Sequence, residues 1–235
     1  MAPPRVLIIV PTYNERENVE EVARHFLTPV PDASILFVDD NSPDGTGPIL
    51  DRLAAADPRL HVLHRPGKQG LGKAYLAGFA WGLARPYDLF IEMDADFSHD
   101  PTYLPRLIEL AAEADVVVGS RNVAGGGTRN WGLGRKLISR GGSFYARTVL
   151  GVKVRDMTAG FVCWRRSALE AISLDDVESN GYGFQIEMKY RALRAGLRVV
   201  ETPIIFVDRR VGQSKMSRGI VAEAMRMVWR LRAKG

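Results

Sequence analysis

Short apolar runs rich in Val, Ile and Leu alternate with amphipathic segments along the first half of the chain. The runs at 6–10, 35–38, 60–64, 89–93 and 115–119 predict strands, and two more are expected at 160–164 and 199–206. Between them, 15–26, 47–56, 72–83 and 103–113 place apolar residues at helical spacing. Strand, helix, strand at this rhythm predicts an α/β fold, a mostly parallel sheet with helices on both faces. After Gly119 the rhythm loosens. Gly125-Gly126-Gly127 reads as a flexible loop, and 137–150 and 184–195 read as helices. With no internal repeat and no low-complexity tract, 1–216 reads as one domain whose halves are 1–119 and 120–216. A helical tail at 217–235 follows it.

Three polar clusters sit where predicted strands end. Tyr13-Asn14-Glu15 follows the first, Asp39-Asp40 the second and Asp94-Ala95-Asp96 the fourth. Parallel strands bring their C-terminal ends to one edge, so carboxylates far apart in sequence converge on one crevice. Two carboxylates at Asp94 and Asp96 suit a hard cation such as Mg²⁺ shared with phosphate oxygens. Each cluster also has a plain reading. Asp-x-Asp after a strand makes a solvated turn, Asn41-Ser42-Pro43-Asp44-Gly45 is turn chemistry, and Thr46 could cap the next helix. Their joint placement favours a nucleotide and metal site.

Charge separates the two halves. Residues 1–117 hold 10 Lys and Arg against 18 Asp and Glu, a net of −8, and residues 118–235 hold 22 against 9, a net of +13. A basic half calls for an anionic partner: nucleic acid, a membrane surface or a phosphorylated substrate. The one cysteine, Cys163, excludes an internal disulfide and fits a reducing cytosol, with burial in a strand its expected role. No stretch reaches the roughly 18 to 20 apolar residues of a membrane span, and the N-terminus leads straight into a strand. A soluble or peripheral protein is expected.

Several chemistries fail on particular residues. Gly67 to Ala74 nearly spells a P-loop, but Ala74 lacks the hydroxyl that holds Mg²⁺. His25, His61, His64 and His99 have no metal-ligand spacing, and no G-x-S-x-G elbow is present. Nucleic-acid binding, the non-enzymatic alternative, would call for a basic stripe interleaved with aromatics. Trp131, Phe144, Tyr145 and Trp164 are scattered instead.

In order along the chain stand Pro11-Thr12-Tyr13-Asn14-Glu15, Val38-Asp39-Asp40-Asn41-Ser42-Pro43-Asp44-Gly45-Thr46, Gly70-Leu71-Gly72, Met93-Asp94-Ala95-Asp96, Gly119-Ser120-Arg121 and Gly212-Gln213-Ser214-Lys215. This succession resembles family 2 glycosyltransferases, and among them the dolichol-phosphate and polyprenol-phosphate mannose synthases. It implies a GT-A-like, Rossmann-type fold, a GDP-mannose donor, a polyprenyl phosphate acceptor, a divalent metal (Mg²⁺ or Mn²⁺) and inversion at the anomeric carbon. It also implies peripheral attachment at the cytoplasmic face of a membrane, with no nucleic acid. By the same likeness, Pro11, Tyr13, Glu15, Val38, Asp39 and Asp40 hold the donor nucleotide, and 1–119 is the donor half. Asp94, Ala95 and Asp96 form the diphosphate and metal motif. Some members carry Gln where this chain has Ser98, the third metal ligand by position. Arg121, Arg135, Ser139, Arg209 and Lys215 match phosphate-holding positions; Arg121, Arg135 and Ser139 are assigned to the acceptor, and Arg121, Arg209 and Lys215 to the donor. Asp96, Arg121 and Arg135 are the catalytic candidates. Asp156 and Glu187 are spare carboxylates that could equally pair with arginines. Another donor, such as UDP-glucose, is the alternative.

The tail remains. Ile220, Ala224, Met227, Val228 and Leu231 form one helical stripe, with Arg226, Arg230 and Lys234 on its flank. Such a helix lies on an anionic membrane with Trp229 at the interface, or it packs on the domain with a solvated basic face.

Overall fold

The computed structural model describes residues 3–179, 181–208 and 218–234. Seven strands form one sheet: β1 (Val6–Thr12), β2 (Ser34–Asp39), β3 (Leu60–His64), β4 (Leu89–Glu92), β5 (Val116–Ser120), β7 (Val162–Arg165) and β8 (Val199–Pro203), in the order β3-β2-β1-β4-β7-β5-β8. All pairs are parallel except those made by β7, which runs antiparallel between β4 and β5. A second sheet pairs β6 (Gly127–Arg129) with β9 (Ile205–Val207).

β1 shows why these residues make a central strand. Val6, Ile8 and Val10 face one core, and Leu7 and Ile9 face the other. A strand buried on both faces reads as a continuous apolar run. The first core is closed by α1 (Val19–Leu27), α2 (Thr46–Ala56) and α4 (Leu104–Leu110). The opposite core is closed by α3 (Leu71–Leu83), α6 (Arg166–Ala171) and α7 (Tyr182–Arg194). A third cluster joins α5 (Leu133–Leu150), α7 and α8 (Arg218–Lys234) through Ala146, Leu150, Ile186, Tyr190, Val228 and Leu231. Cys163 lies fully buried in β7, and burial pushes its thiol up to about 12.

Chain order reverses between β1 and β4, since β1 leads outward to β2 and the chain later returns to β4 on the other side. That switch point opens a crevice beyond the strand ends. It is flanked by Tyr13 to Glu15 and by Asp94 to Asp96.

Several boundaries differ from expectation. The helix expected at 15–26 starts only at Val19, because Asn14 takes a left-handed φ of 61° and Glu15 to Val19 form a turn, with Asn18 N–H donating to the Glu15 carbonyl at 2.9 Å. Thr46 caps nothing: it opens α2 behind Gly45, and its hydroxyl accepts from Glu15 N–H and donates to Asp44. The strand expected at 199–206 breaks at buried Ile204, where the chain passes from the main sheet to the small one. The loop at Gly125-Gly126-Gly127 ends in β6. The helix expected at 137–150 begins a turn earlier, at Leu133.

Candidate active site

The first three strand ends are tied into one structure by side chains. Asp39 turns inward: its Oδ1 accepts from Ser42 Oγ at 2.5 Å and Thr12 Oγ1 at 3.3 Å, and its Oδ2 from Ser42 N–H at 3.2 Å. The 41–46 turn then grips the end of β1, with Ser42 Oγ accepting from Asn14 N–H, Thr46 Oγ1 from Glu15 N–H and Asp44 from Arg16 N–H. Asp40 pairs with Arg65 at 2.5 Å, both side chains being 8% exposed. Burial raises the Asp40 carboxyl, against the pull of Arg65. Lys68 stands 4.0 Å over the Tyr13 ring, covering the cleft from the β3–α3 loop. Pro11 and Tyr13 are half-buried at the crevice. Val38 and Ala95 are buried, so what they offer a ligand is backbone.

At β4, Asp94 accepts from Tyr75 Oη at 3.3 Å, while its own N–H donates to His99 Nδ1 at 3.2 Å. An accepting Nδ1 carries no proton, so the neutral imidazole has its hydrogen on Nε2. Burial pulls His99 down to about 4, which keeps it neutral at physiological pH. Asp96 accepts the Ser98 N–H at 3.1 Å. Ser98 is 1% exposed and its hydroxyl has no hydrogen-bond partner. A buried orphan hydroxyl next to the Asp96 carboxylate, with Asp94 two residues before it, is a donor set suited to a hard cation, which takes one or two protein carboxylates and completes its shell with phosphate and water. Among the described residues no cluster of three or more His, Cys, Asp or Glu side chains is placed to hold a metal ion.

Beyond β5 the charge changes sign. Arg121 clamps Asp156 through Nε at 2.8 Å, Nη2 at 2.7 Å and its backbone N–H at 2.9 Å, and Nη2 also reaches Thr158 Oγ1 at 3.0 Å. Burial raises the Asp156 carboxyl, but the guanidinium outweighs it and holds the group below the ordinary range. Arg135 pairs with Asp208 at 2.5 Å and stacks 4.1 Å over Trp131. Arg121 and Ser139 line a small, solvent-open cleft with Trp131, Lys136 and Arg140. Phe206 bridges the two regions, packing on His99 at 5.4 Å and on Trp131 at 5.2 Å.

The sequence candidates therefore gather in two places: Pro11 to Glu15, Asp39, Asp40 and Asp94 to Ser98 at the switch point, and Arg121, Arg135 and Ser139 around Trp131. Arg209 and Lys215 lie outside the described residues. Asp156 and Glu187 both take the pairing reading, with Arg121 and Arg191 respectively. Arg65, Lys68, His99, Trp131 and Asp208 were missed. None belongs to a short motif: His99 and Trp131 stand close in sequence to Asp94 and Arg135 without any ligand pattern, and Arg65, Lys68 and Asp208 are brought in from far along the chain.

Residues 7–173 match the family described as Glycosyl transferase family 2. The chain belongs to that family and is a glycosyltransferase with an α/β, GT-A-like fold. It is 53% identical over 232 residues to the undecaprenyl-phosphate mannosyltransferase of Micrococcus luteus, covering 98% of this chain and 96% of that one. It is 50% identical to the polyprenol monophosphomannose synthase of Mycolicibacterium smegmatis, covering 98% and 88%. The dolichol-phosphate mannosyltransferase of Pyrococcus furiosus is 36% identical, and the chain spans 63% of its length. The glucosyl-3-phosphoglycerate synthase of Mycobacterium tuberculosis, solved with Mn²⁺ and UDP-glucose, superposes with a TM-score of 0.67 at 19% identity over 98% of this chain and 78% of that one, a likeness of fold. Among the described residues no helix is long and apolar enough to cross a membrane.

Proposed function

We propose that this protein transfers mannose from GDP-mannose to a polyprenyl (dolichyl-type) phosphate, inverting the anomeric carbon and releasing GDP. One observation carries the reading: 53% identity along nearly the full length of a mannosyltransferase named for undecaprenyl phosphate. The site supports it, with an acidic switch-point crevice suited to a nucleotide and metal beside a cleft lined by Arg121, Lys136 and Arg140.

We assign the roles by likeness to the family, with the contacts of each residue in support. Pro11, Tyr13, Glu15 and Asp40, with the backbone at Val38, hold the nucleoside, while Asp39 braces the 41–46 turn and Arg65 pairs with Asp40. Asp94 and Asp96, with the Ser98 hydroxyl, hold a divalent cation that offsets the charge of the departing diphosphate. Arg121, with Arg209 and Lys215 by sequence likeness, faces phosphates, and Arg135 and Ser139 orient the acceptor. A phosphate monoester is largely dianionic at neutral pH, its second pKa being about 6, so its oxygen attacks without a general base. The bond from that oxygen to the anomeric carbon forms as the bond to the donor's β-phosphate breaks, and the electron pair leaves with GDP. The protein's task is to hold two anions in line and screen their repulsion.

The acceptor's tail places the enzyme on a membrane, at its cytoplasmic face where nucleotide sugars are held. Leu133, Leu137, Ile138 and Phe144 of α5 and Met225 and Trp229 of α8 are exposed. They sit among exposed Arg140, Arg226 and Arg230 on two helices packed side by side. This is an apolar and basic face suited to an anionic bilayer.

Incubation of the pure protein with polyprenyl phosphate and a panel of labelled nucleotide sugars tests the reading. Label should pass to lipid from GDP-mannose in the presence of Mg²⁺ or Mn²⁺. Transfer from UDP-glucose alone would replace the donor, and no lipid product from any donor would end the proposal.

A further inference from the structure

Lys189, on α7, is fully buried, a rare position for an ammonium. Among the described residues it has no carboxylate partner within ion-pair distance. Its Nζ donates instead to the carbonyls of Ala159 at 2.6 Å and Met157 at 3.4 Å, and to Gln185 through Oε1 at 3.0 Å and the main-chain carbonyl at 3.2 Å. Its surroundings connect both halves of the site. Gln185 Nε2 donates to Glu92, which also accepts from Trp164 Nε1 at 2.6 Å and lies two residues before Asp94 on β4. In the other direction, Met157 and Ala159 flank Thr158, whose hydroxyl accepts from Arg121, and they follow Asp156, which holds the rest of the guanidinium. Ser143 of α5 joins this cluster at 3.1 Å from Thr158 Oγ1.

We propose that Lys189 is a positioning residue for the transfer: by fixing the carbonyls on either side of Thr158, it sets the orientation of Arg121 and ties the acceptor cleft to β4, the strand that leads into Asp94 and Asp96. The geometry favours this over plain neutralisation of Glu92. A counter-ion for Glu92 would sit against the carboxylate; this ammonium bonds to the backbone of the loop that holds Arg121. Burial lowers Lys189 to about 8 while Glu92 and Asp156 pull it upward, in keeping with a cation held between two sites. The substrate on which Arg121 acts is taken from the mannosyl-transfer reading, whereas the coupling itself is geometric.

The double variant Glu92→Gln/Lys189→Met removes both buried charges together, so the fold is left without an unpaired ion. Its Tm should fall by several degrees, because the Met157 and Ala159 carbonyls lose their donor, but the protein should still fold. Its kcat/KM for farnesyl phosphate should fall about tenfold to a hundredfold, because small displacements of an orienting group are costly. Crystals should show Arg121 displaced from Asp156. A folded double variant with Arg121 in place and unchanged farnesyl phosphate use would overturn the inference and leave Lys189 as a neutraliser. If the double variant does not fold, Lys189→Arg, which keeps the charge but cannot place it on the same carbonyls, is scored by the same criteria. A wild type that transfers no mannose would sink the functional reading alone; the position of Arg121 in the variant crystals would then decide this inference.

Discussion

Asp156 is fully buried, and the sign of its titration follows from its partner. Burial would raise the carboxyl, but Arg121 holds it below its ordinary value of 3.8. A lowered folded pKa contributes stability that is complete above the ordinary value and is lost as pH falls through the folded one. Asp156→Asn removes the buried carboxylate to which Nε, Nη2 and the backbone N–H of Arg121 all donate, which should cost about 3 to 5 kcal/mol in chemical denaturation at neutral pH. The gap to wild type should narrow below the ordinary carboxylate value, and a constant gap would assign the loss to packing. Asp96→Asn is the contrasting case. Its Oδ1 accepts the Ser98 N–H, a bond that Asn can keep, and the change removes charge rather than core volume, so the fold should persist while metal-dependent transfer is abolished. Unchanged activity at saturating Mg²⁺ would remove Asp96 from the metal site. At this scale the acidic residues were legible because strand ends announce them, and their partners were not. Arg65 reaches Asp40 across 25 positions and Asp208 reaches Arg135 across 73, distances over which no local pattern carries information.

The strands of the main sheet were legible because double burial demands unbroken apolar runs, and β1, β2 and β5 meet that demand. Their directions were not: side-chain alternation is the same in either sense, so nothing in Val162 to Arg165 marks β7 as antiparallel. The small sheet escaped because three-residue strands carry no period, and Gly125-Gly126-Gly127 pointed to a loop. Helix α3 holds a further signal in Gly78 and Gly82, one turn apart. A Cβ at Gly82 would lie 2.5 Å from Phe90 and 2.6 Å from Leu7, and one at Gly78 would lie 2.6 Å from Ile9. The missing side chains let α3 settle directly onto β1 and β4. Gly82→Ala gains up to about 1 kcal/mol of helix propensity and incurs about 1 to 3 kcal/mol of overpacking, so a net loss is expected. Thermal denaturation should show a lowered Tm, and a raised one would mean that α3 shifts outward at little cost.

Charge polarity and the apolar helices act on the whole molecule. The second half carries a net of +13, and α5 and α8 present aromatic and aliphatic side chains within that field. The two readings of the tail are compatible, since α8 packs inward through Val228 and Leu231 while Trp229 stays 60% exposed and Leu137 of α5 stays 75% exposed. Deleting the helix would therefore open the core it helps to close, so exposed positions are the cleaner probes. Trp229→Ser with Leu137→Ser removes apolar surface and no buried contact, so Tm should hold. Affinity for anionic vesicles should drop by about 2 to 4 kcal/mol, from two large side chains at up to about 1.5 to 3 kcal/mol each with incomplete insertion. Arg226→Gln with Arg230→Gln should act differently, at about 1 kcal/mol per charge on anionic vesicles, and the loss should fade as salt rises. On neutral vesicles the apolar pair should still matter and the basic pair should not. Turnover of a short, dispersed prenyl phosphate should be the same in all four substitutions. A matching loss on that substrate would place these residues in the acceptor cleft rather than on the bilayer.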